Sequence, residues 1–297
     1  MAAAGPVVAV LHAGTRRTAH PRWLILPAAA IVAVFLLLPY LNIIVMSLRP
    51  RAVGAAHGPG FTLENYSRVL TDEYYLGVLG QSLSLALMTT AICLIIGYPV
   101  AYHLARSTSR WKGLLYVLVL SPLLVGVVVR TFGWLILLSR GGVINRALQD
   151  LGLIDAPLTL MNNMFGVTLA LVHVFLPFMI LPLTGALQAI DPSLEAAARS
   201  LGASRFTAFR RIVLPLSWPG IKSGTVLVFV LALSAYVTPN MLGGAQVRTW
   251  SVLVVQALID NFQWPHGAAL ALILAVCGAL AASAYVHLGA RLAQGVR

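Results

Sequence analysis

Residues 191–221 read DPSLEAAARSLGASRFTAFRRIVLPLSWPGI, and this stretch decides how the rest of the chain is interpreted. Asp191 followed by Pro192 predicts a helix start, because an acidic residue caps free amides and proline is tolerated at the first helical position. Gly202 lies where a helix can end in a left-handed residue, and Ser204 can cap a second helix. The stretch therefore predicts a helix, a glycine elbow and a second short helix.

Apolar and basic residues are patterned along these two predicted helices. The apolar positions are Leu194, Ala197, Ala198 and Leu201 on the first helix, and Phe206, Phe209 and Val213 on the second. Pro215 is expected to close the second helix. The pattern fits either a basic amphipathic segment resting on anionic lipid or an element that docks on another protein, and spacing alone leaves both open.

The composition indicates that the segments before and after this loop lie in a lipid bilayer. The chain has 297 residues, of which 59% are hydrophobic and 9% are charged, whereas a soluble domain has about a quarter charged residues. A helix needs roughly 20 apolar residues to cross a bilayer, and the runs of that length are residues 23–47, 79–105, 113–138, 164–189, 221–242 and 268–288. We expect an all-α integral membrane protein with six transmembrane helices in one domain, residues 23–290, with tails at residues 1–22 and 291–297.

The distribution of charge orients these six predicted spans. Thirteen of the 20 basic residues fall on one side, against two acids; they are Arg16, Arg17, Arg22, Arg106, Arg110, Lys112, Arg199, Arg205, Arg210, Arg211, Lys222, Arg291 and Arg297. By the positive-inside rule both termini are cytoplasmic. The first run is too long for a signal-peptide core, which spans roughly 7–15 residues, so we expect a retained anchor. The basic residues are accounted for by membrane orientation and give no support to nucleic-acid binding.

Three segments on the opposite side carry their own helical patterns. TLENYSRVL predicts a short helix at the outer surface, and the apolar positions from Val143 to Leu151 predict an amphipathic helix after a glycine pair. Around residues 246–267 the sequence predicts a re-entrant or interfacial helix. Trp250, Phe262 and Trp264 are expected to anchor it at the lipid headgroups.

Sites for enzyme chemistry are not evident in the sequence. The phosphate-binding pattern G-x-x-x-x-G-K-[ST] does not occur, and His173 has no acid at metal-ligand spacing, so we expect no metal site and no ATP hydrolysis by this chain. Cys93 and Cys277 fall inside predicted spans and are interpreted as small buried hydrophobes. A membrane-embedded enzyme would need convergent ionisable residues within the spans.

Polar and aromatic residues within the spans are candidates for a solute pathway, because polar groups are costly to place in lipid. Aromatic faces can also hold an ammonium group without a fixed acid. The candidates are Tyr98, Arg130, Trp134, Tyr236, Thr238 and Asn240. Packing, helix capping and a snorkelling or structural role for Arg130 are the alternative interpretations of these residues.

The 191–221 stretch is similar to the cytoplasmic signature loop of binding-protein-dependent ABC importer permeases. That signature has a Glu-Ala-Ala box, three residues, glycine, nine residues and then Ile-x-Leu-Pro; with Gly202 as the glycine, Ile212, Leu214 and Pro215 match its end. The box then falls on residues 196–198, so alanine replaces the usual acid, and Glu195 lies one position early, about 100° around the helix.

The resemblance extends over roughly residues 61–285 to the spermidine/putrescine-type permeases. It includes, in the same order, FTLENYSRVL, GYPVAYHLAR, VVVRTFGWLILL, GGVINRALQDLGL, FLPFMILPL and VTPNMLGG. The resemblance implies the type I ABC importer permease fold, in which the loop is a coupling helix seated on an ATPase. The residues that the resemblance assigns to coupling are Glu195, Ala196, Ala197, Ala198, Leu201, Gly202, Ala203, Ser204, Phe206, Phe209, Arg210, Ile212, Leu214 and Pro215.

The resemblance also implies partners and a location. The chain would pair with a second permease, two cytosolic ATPase subunits that bind ATP and Mg, and an extracytoplasmic solute-binding protein, in a bacterial inner membrane; it would hold no cofactor itself. A polyamine is the expected solute, and an opine, a phosphonate or an amino-acid-like anion is the alternative within this class. A secondary transporter or channel that works without ATP is the alternative outside it.

Overall fold

The computed structural model describes residues 26–52 and 54–294, and every regular element in these ranges is a helix. The predicted tail at residues 1–22, the start of the predicted first span at residues 23–25 and the last part of the predicted C-terminal tail, residues 295–297, lie outside the described residues. The first helix, α1 (Leu26–Ser47), is apolar along its length and contains Pro39. The chain forms two compact units that divide between Ile43 and Ile44, and the remaining elements belong to the second unit.

A short helix and a long one follow α1. The predicted outer helix is present as α2 (Glu64–Thr71). The next helix, α3 (Glu73–Arg106), begins at Asp72, whose carboxylate accepts a 2.9 Å hydrogen bond from the amide of Tyr74. α3 has 34 residues, about 51 Å at 1.5 Å per residue, whereas the hydrocarbon layer is about 30 Å thick. The helix is therefore long enough to extend beyond the membrane at its ends.

The structure divides the predicted third span into two helices. They are α4 (Lys112–Leu124) and α5 (Val127–Leu138), separated by Val125 and Gly126. The break leaves carbonyl groups without helical donors, and the guanidinium of Arg130 donates to one of them, the carbonyl of Pro122. An unpaired carbonyl is costly in an apolar environment, so Arg130 stabilises the broken helix.

The next elements lead through the 191–221 loop and back into the membrane region. The amphipathic helix predicted after the glycine pair is present as α6 (Val143–Asp150). In order along the chain, the following elements are α7 (Met164–Gln188), α8 (Pro192–Ser200), α9 (Arg205–Ala208), a π-helical turn (Phe209–Val213), α10 (Leu214–Leu216) and α11 (Trp218–Ser234). They are followed by α12 (Val237–Leu242), α13 (Trp250–Val255), a second π-helical turn (Gln256–Asp260) and α14 (Trp264–Gln294).

The predicted fifth span is also interrupted. α11 ends at Ser234 and α12 begins at Val237, because the backbone at Ala235 is extended. The hydroxyl of Ser251, from α13, donates to the free carbonyl of Ala235. Polar side chains from neighbouring elements thus satisfy the backbone at the breaks in both the third and the fifth predicted spans, as a lipid environment requires.

Three helices, α3, α7 and α11, form the centre of the second unit. Met179 and Leu183 of α7 are fully buried there. Glycine allows α11 to approach α7 closely, since a Cβ atom at Gly224 would lie 2.8 Å from the sulfur of Met179. Small residues at such crossings are typical of helix packing in membranes, and the position of α11 therefore depends on this glycine.

The segment around residues 246–267 is buried in its first part, and Phe262 and Trp264 at its end are exposed. Trp250 is 0% exposed, and its indole N–H donates to the carbonyl of Leu270 at 2.8 Å. The backbone amide of Trp250, at the first position of α13, donates to the hydroxyl of Ser82 at 2.7 Å. The prediction that Trp250 anchors the segment at the lipid headgroups is therefore wrong, because its side chain fills the core.

The length and apolar character of the helices agree with a membrane protein. Among the residues that the structure describes, five helical stretches are long and apolar enough to cross a membrane: Pro27–Ser47, Glu73–Arg106, Val127–Asp150, Met164–Gln188 and Trp264–His287. A sixth is obtained if the bent pair Arg205–Leu216 and Trp218–Ser234 is counted as one span. The prediction of an all-α membrane fold is confirmed.

Candidate functional site in the 191–221 loop

The start of the 191–221 loop is fixed by the predicted cap. The carboxylate of Asp191 accepts a 2.8 Å hydrogen bond from the backbone amide of Ser193, and Pro192 occupies the first helical position. This backbone hydrogen bond holds the pKa of the Asp191 carboxyl below its usual value. The ionised carboxylate is thus the form that caps α8.

The glycine elbow is also present as predicted. Gly202 has φ +88°, in the left-handed region that favours glycine. The amide of Ala203 donates to the carbonyl of Ala198 at 3.0 Å, and that of Gly202 to the carbonyl of Arg199 at 3.0 Å. This pair of bonds is the Schellman arrangement, which satisfies the last carbonyl groups of a helix.

The second helix of the loop begins and ends close to the predicted positions. Ser204 caps it, since its hydroxyl accepts a 3.1 Å hydrogen bond from the amide of Thr207. The helix passes through the π-helical turn, ends at Leu216, one residue after Pro215, and then bends by 63° into α11. Proline removes one backbone donor and kinks a helix, and here the kink follows at Ser217.

The loop presents an apolar surface bordered by arginines. Leu201 is 89% exposed and Phe206 is 70% exposed. Four basic side chains of the same loop are also exposed: Arg199, Arg205, Arg210 and Arg211. Two large apolar side chains this exposed among the basic residues of the loop favour a contact surface there.

The residues that the resemblance assigned to coupling divide into two groups. Those exposed on the loop are Ala196, Ala197, Leu201, Gly202, Ser204, Phe206, Arg210, Leu214 and Pro215. Those that are half-buried are Glu195, Ala198, Ala203, Phe209 and Ile212. The half-buried group faces the chain itself, and two of its members contact α3.

Phe209 is one of these two members. Its ring packs edge to face against Tyr98, with centroids 5.6 Å apart, and against Tyr102, with centroids 5.9 Å apart. Such perpendicular pairs are favourable beyond the area that they bury. In this structure Phe209 is therefore an internal contact of the chain and not an exposed docking residue.

Glu195 is the second member, and it forms an ion pair with the last residue of α3. Its Oε1 accepts from Nη2 of Arg106 at 2.6 Å, and its Oε2 accepts from the hydroxyl of Tyr102 at 2.9 Å. Nη1 of Arg106 donates to the carbonyl of Ile190 at 2.9 Å. Both carboxylate oxygens of Glu195 are thus bound within the chain.

Tyr98 contacts the bend that follows the loop. Its hydroxyl lies 2.8 Å from the hydroxyl of Ser217, which itself donates to the carbonyl of Leu214 at 2.9 Å. Because serine has one hydroxyl proton, Tyr98 is the donor of this pair. Ser217 is fully buried, so the bend is held from the side of α3.

The sequence profile of the family described as "Binding-protein-dependent transport system inner membrane component" matches residues 82–294, a range that includes the whole loop. The chain belongs to this family. It is a transport component of an ABC importer and not an enzyme, and the predictions of an importer permease and of an inner-membrane, multi-pass location are confirmed.

Individual relatives agree with the family. The spermidine/putrescine transport system permease protein PotB of Haemophilus influenzae is 35% identical to this permease over 246 residues, which cover 83% of this chain and 86% of the relative. The PotB protein of Escherichia coli K12 is 36% identical over 245 residues, which cover 82% of this chain and 89% of the relative. The resemblance inferred from the sequence motifs is thereby confirmed.

Solved structures agree with the fold. A chain in the crystal structure of a bacterial alginate ABC transporter, in complex with an alginate pentasaccharide-bound periplasmic protein, superposes with a TM-score of 0.72. The two chains are 16% identical, and the match covers 92% of this permease and 94% of that chain. The predicted type I ABC importer permease fold is confirmed.

The predicted pathway residues of the permease occupy different environments. Thr238 is buried, with its hydroxyl 3.3 Å from that of Thr131, Tyr98 is bonded to Ser217, and Arg130 donates to the carbonyl of Pro122. These three residues have partners within the chain.

The other three predicted pathway residues keep part of their surface open. The indole of Trp134 donates to Nδ1 of His173 at 3.3 Å, with the rings 5.5 Å apart. Asn240 is exposed, and its amide donates to the hydroxyl of Tyr236 at 3.4 Å. Within residues 26–52 and 54–294, no group of His, Cys, Asp and Glu side chains is arranged to hold a metal ion.

Sequence patterns alone did not single out Arg106, Tyr102 or Ser217 of the permease. A signal was present, because Tyr98, Tyr102 and Arg106 recur at i, i+4 and i+8 and therefore lie on one face of α3. Their partners are far away in sequence: Glu195 is 89 positions from Arg106 and Ser217 is 119 positions from Tyr98.

Proposed function

We propose that this permease subunit transports polyamines of the spermidine and putrescine class. The observation that carries the proposal is the likeness to two permeases named for spermidine and putrescine, over more than four fifths of the chain. Aromatic side chains and neutral polar groups among the pathway candidates support it, because they can hold ammonium groups without a fixed acid.

We propose that the permease works with a second, different permease, with two ATPase subunits that bind ATP and Mg, and with an extracytoplasmic solute-binding protein. Membership of a binding-protein-dependent family supports the last of these partners. The bias of Lys and Arg toward one side of the chain supports cytoplasmic termini. On that orientation the 191–221 loop faces the cytosol, where the ATPase subunits lie.

We propose that the ATPase covers the exposed apolar surface of the loop. Leu201 and Phe206 would be the anchors, because large apolar side chains at the centre of a contact contribute most of its energy. The surrounding arginines would meet acidic residues of the ATPase or lipid phosphate at its margin. The Schellman turn at Gly202 supports this role, since it holds the two anchors on adjoining helices.

We propose that Trp134, Tyr236 and Asn240 line the solute pathway. All three keep exposed surface within the broken third and fifth spans, and irregular backbone at membrane depth is typical of segments that line a cavity. Tyr98 bonds to the bend at Ser217, Arg130 bonds to the break in the third span and Thr238 is buried, which favours structural roles for those residues. If Arg130 has a structural role and does not line the pathway, its fixed positive charge does not repel a polyamine there.

The docking proposal is tested with the complete complex in nanodiscs, in the presence of solute-loaded binding protein. Phe206→Ala is expected to lower the stimulated ATPase activity about tenfold, as removal of an interface anchor does. Phe165→Ala is the matched control, because Phe165 is also exposed but lies in the first turn of α7, at the end away from the loop. Equal stimulation in both variants would show that the loop is a lipid-facing segment.

The solute is tested by competition in proteoliposomes. Unlabelled spermidine or putrescine is expected to suppress uptake of labelled putrescine, whereas an opine, a phosphonate or an acidic amino acid is expected to leave it unchanged. Suppression by the anionic solutes alone would overturn the polyamine proposal and keep the importer class. Uptake that persists after ATP is removed would instead indicate a secondary transporter or a channel.

A further inference from the structure

Three side chains on one face of α3 contact the 191–221 loop and the bend beyond it. We call Tyr98, Tyr102 and Arg106 the α3 stripe; they are spaced four residues apart, so they line up over the last turns of this helix. Neighbouring members of the α3 stripe share a contact: Arg106 and Tyr102 both bind Glu195, and Tyr102 and Tyr98 both pack on Phe209. The α3 stripe runs opposite to the loop, so that Arg106 contacts its start and Tyr98 contacts its end.

The first contact is at the start of the loop. Arg106 bridges the carbonyl of Ile190, before α8, and the carboxylate of Glu195, within α8. Tyr102 donates to the other oxygen of the same carboxylate. A guanidinium can donate in two directions at once from a planar fork, which a lysine ammonium does not reproduce.

The other contacts are in the second half of the loop. Tyr102 and Tyr98 hold the ring of Phe209 between them, at the start of the π-helical turn. Tyr98 then donates to the buried hydroxyl of Ser217 at the 63° bend into α11. The α3 stripe therefore contacts α8, the π-helical turn and the bend, and these contacts are spread along the chain between α7 and α11.

The ion pair in this set is shielded from solvent. The side chains of Arg106 and Glu195 are 18% and 21% exposed, whereas those of the other ion pair in the described ranges, Arg68 and Glu64 in α2, are 47% and 66% exposed. Exposed pairs contribute little to stability, and breaking a shielded pair leaves a charge without a partner. The α2 pair therefore serves as an internal control.

We propose that Arg106 is a positioning residue that joins the 191–221 loop to α3, so that a movement of the docked loop is passed to α3 as well as to α7 and α11. The inference rests on the proposed docking of an ATPase on this loop. It assigns Glu195 to a contact within the chain: its carboxylate binds Arg106 and Tyr102 and does not face the ATPase. Ala196, where the family signature has its acid, is exposed instead.

The role in coupling is tested by measuring solute molecules transported per ATP hydrolysed, per assembled complex, in proteoliposomes with labelled putrescine. Arg106→Gln and Glu195→Gln are each expected to lower this ratio about fivefold, within the range for contacting residues of one network. The double variant is expected to lose no more than either single variant. The exchanged pair, Arg106→Glu with Glu195→Arg, is expected to recover part of the loss, because it restores the ion pair but not the bonds with Ile190 and Tyr102.

A merely structural role would reduce the amount of assembled complex without changing the ratio per complex. Arg106→Lys keeps the charge and removes the fork, so it is expected to give an intermediate ratio even if Arg106→Gln assembles poorly. Arg68→Gln, which breaks the exposed pair in α2, is the matched control and is expected to match the wild type. The inference is overturned if Arg106→Gln equals Arg68→Gln, or if the two single losses multiply in the double variant.

A second measurement separates this inference from the proposed function. Spin labels at Thr108, just after α3, and at Ser200, at the end of α8, report the distance between the two elements in a background with Cys93 and Cys277 replaced by alanine. Arg106→Gln is expected to broaden a narrow distance distribution, and the exchanged pair to restore it. If the wild-type complex shows no stimulated ATPase activity, the proposed function is overturned, and with it the role of Arg106 in coupling. A distance distribution that still broadens in Arg106→Gln would then show only the contact between α3 and the loop. An unchanged distribution in a fully stimulated complex overturns only the inference.

Discussion

The hydroxyl of Tyr98 in α3 lies 2.8 Å from the hydroxyl of Ser217, the residue at which the second helix of the loop bends into α11. Tyr98→Phe removes this bond and keeps the ring that packs on Phe209. We expect the free energy of unfolding to fall by about 0.5–1.5 kcal/mol, the usual contribution of one internal hydrogen bond. Thermal unfolding in detergent measures the change.

The same variant distinguishes two roles for Tyr98. If it acts at the bend, the KM for putrescine is unchanged in Tyr98→Phe, because the aromatic face remains and no pathway group is lost. Tyr40→Phe, which removes an exposed hydroxyl in α1, serves as the control for stability. A raised KM in Tyr98→Phe would place its hydroxyl in the solute pathway.

Gly202→Ala is expected to destabilise the loop by about 1–2 kcal/mol, because a left-handed backbone is unfavourable for a residue with a Cβ atom. No atom lies within 4 Å of a Cβ at this position, so the cost is conformational and not steric. The stimulated ATPase activity should fall with it.

Gly185→Ala provides the comparison, since Gly185 also has open space around it but is helical, within α7. It is expected to be neutral or slightly stabilising, because alanine is the better helix former. Asparagine tolerates left-handed backbone better than alanine, so Gly202→Asn should retain more activity than Gly202→Ala. Equal activity of the asparagine and alanine variants would argue against a conformational cause.

Gly224→Ala is expected to lower the free energy of unfolding by about 1–3 kcal/mol, as overpacking of a well-packed core does. Its Cβ atom would lie 2.8 Å from the sulfur of Met179, so α11 would have to move away from α7. Gly80→Ala, in an open position of α3, should leave unfolding unchanged. A Gly224→Ala protein as stable as Gly80→Ala would show that α7 and α11 can separate freely.

Trp250→Phe is expected to lower the free energy of unfolding by about 1–3 kcal/mol, because the buried carbonyl of Leu270 loses its hydrogen-bond donor. Trp264→Phe, at a partly exposed site at the start of α14, should change unfolding little. Detergent unfolding curves of both variants make the comparison. Similar curves would indicate that Trp250 is solvated by lipid instead of buried.

Trp134→Leu is expected to raise the KM for putrescine about twofold to fivefold, the effect of losing a cation–π contact of about 0.5–1 kcal/mol. Trp134→Phe, which keeps an aromatic face, should be affected less. Trp111→Leu, at an exposed position before α4, is the control. An unchanged KM in Trp134→Leu would leave its contact with His173 as a packing interaction.

The local features of the loop could be predicted because they depend on neighbouring residues. Asp191, Gly202 and Ser204 form the caps and the elbow that their spacing indicates. The first, second, fourth and sixth spans could also be predicted, since the length of an apolar run is a property of the sequence itself. Short-range chemistry was sufficient in both cases.

The long-range features could not be predicted in the same way. The breaks at Val125 and Ala235 are stabilised by Arg130 and Ser251, which lie 8 and 16 positions from the carbonyls that they bind, and nothing in an apolar run shows which side chain will reach a free carbonyl. The orientation of Phe209 depends on rings of α3 that lie more than 100 positions earlier. The exposed half of the candidate site was thus visible in the sequence, and the half that faces α3 was not.

The Schellman turn at Gly202 also bears on how the complex assembles. Its backbone groups are bonded to residues no more than five positions away, so the elbow is ordered before any partner arrives. A preorganised surface loses little conformational entropy on association. The ATPase proposed to dock there would meet a finished surface, and its affinity would be determined by side-chain contacts and not by coupled folding.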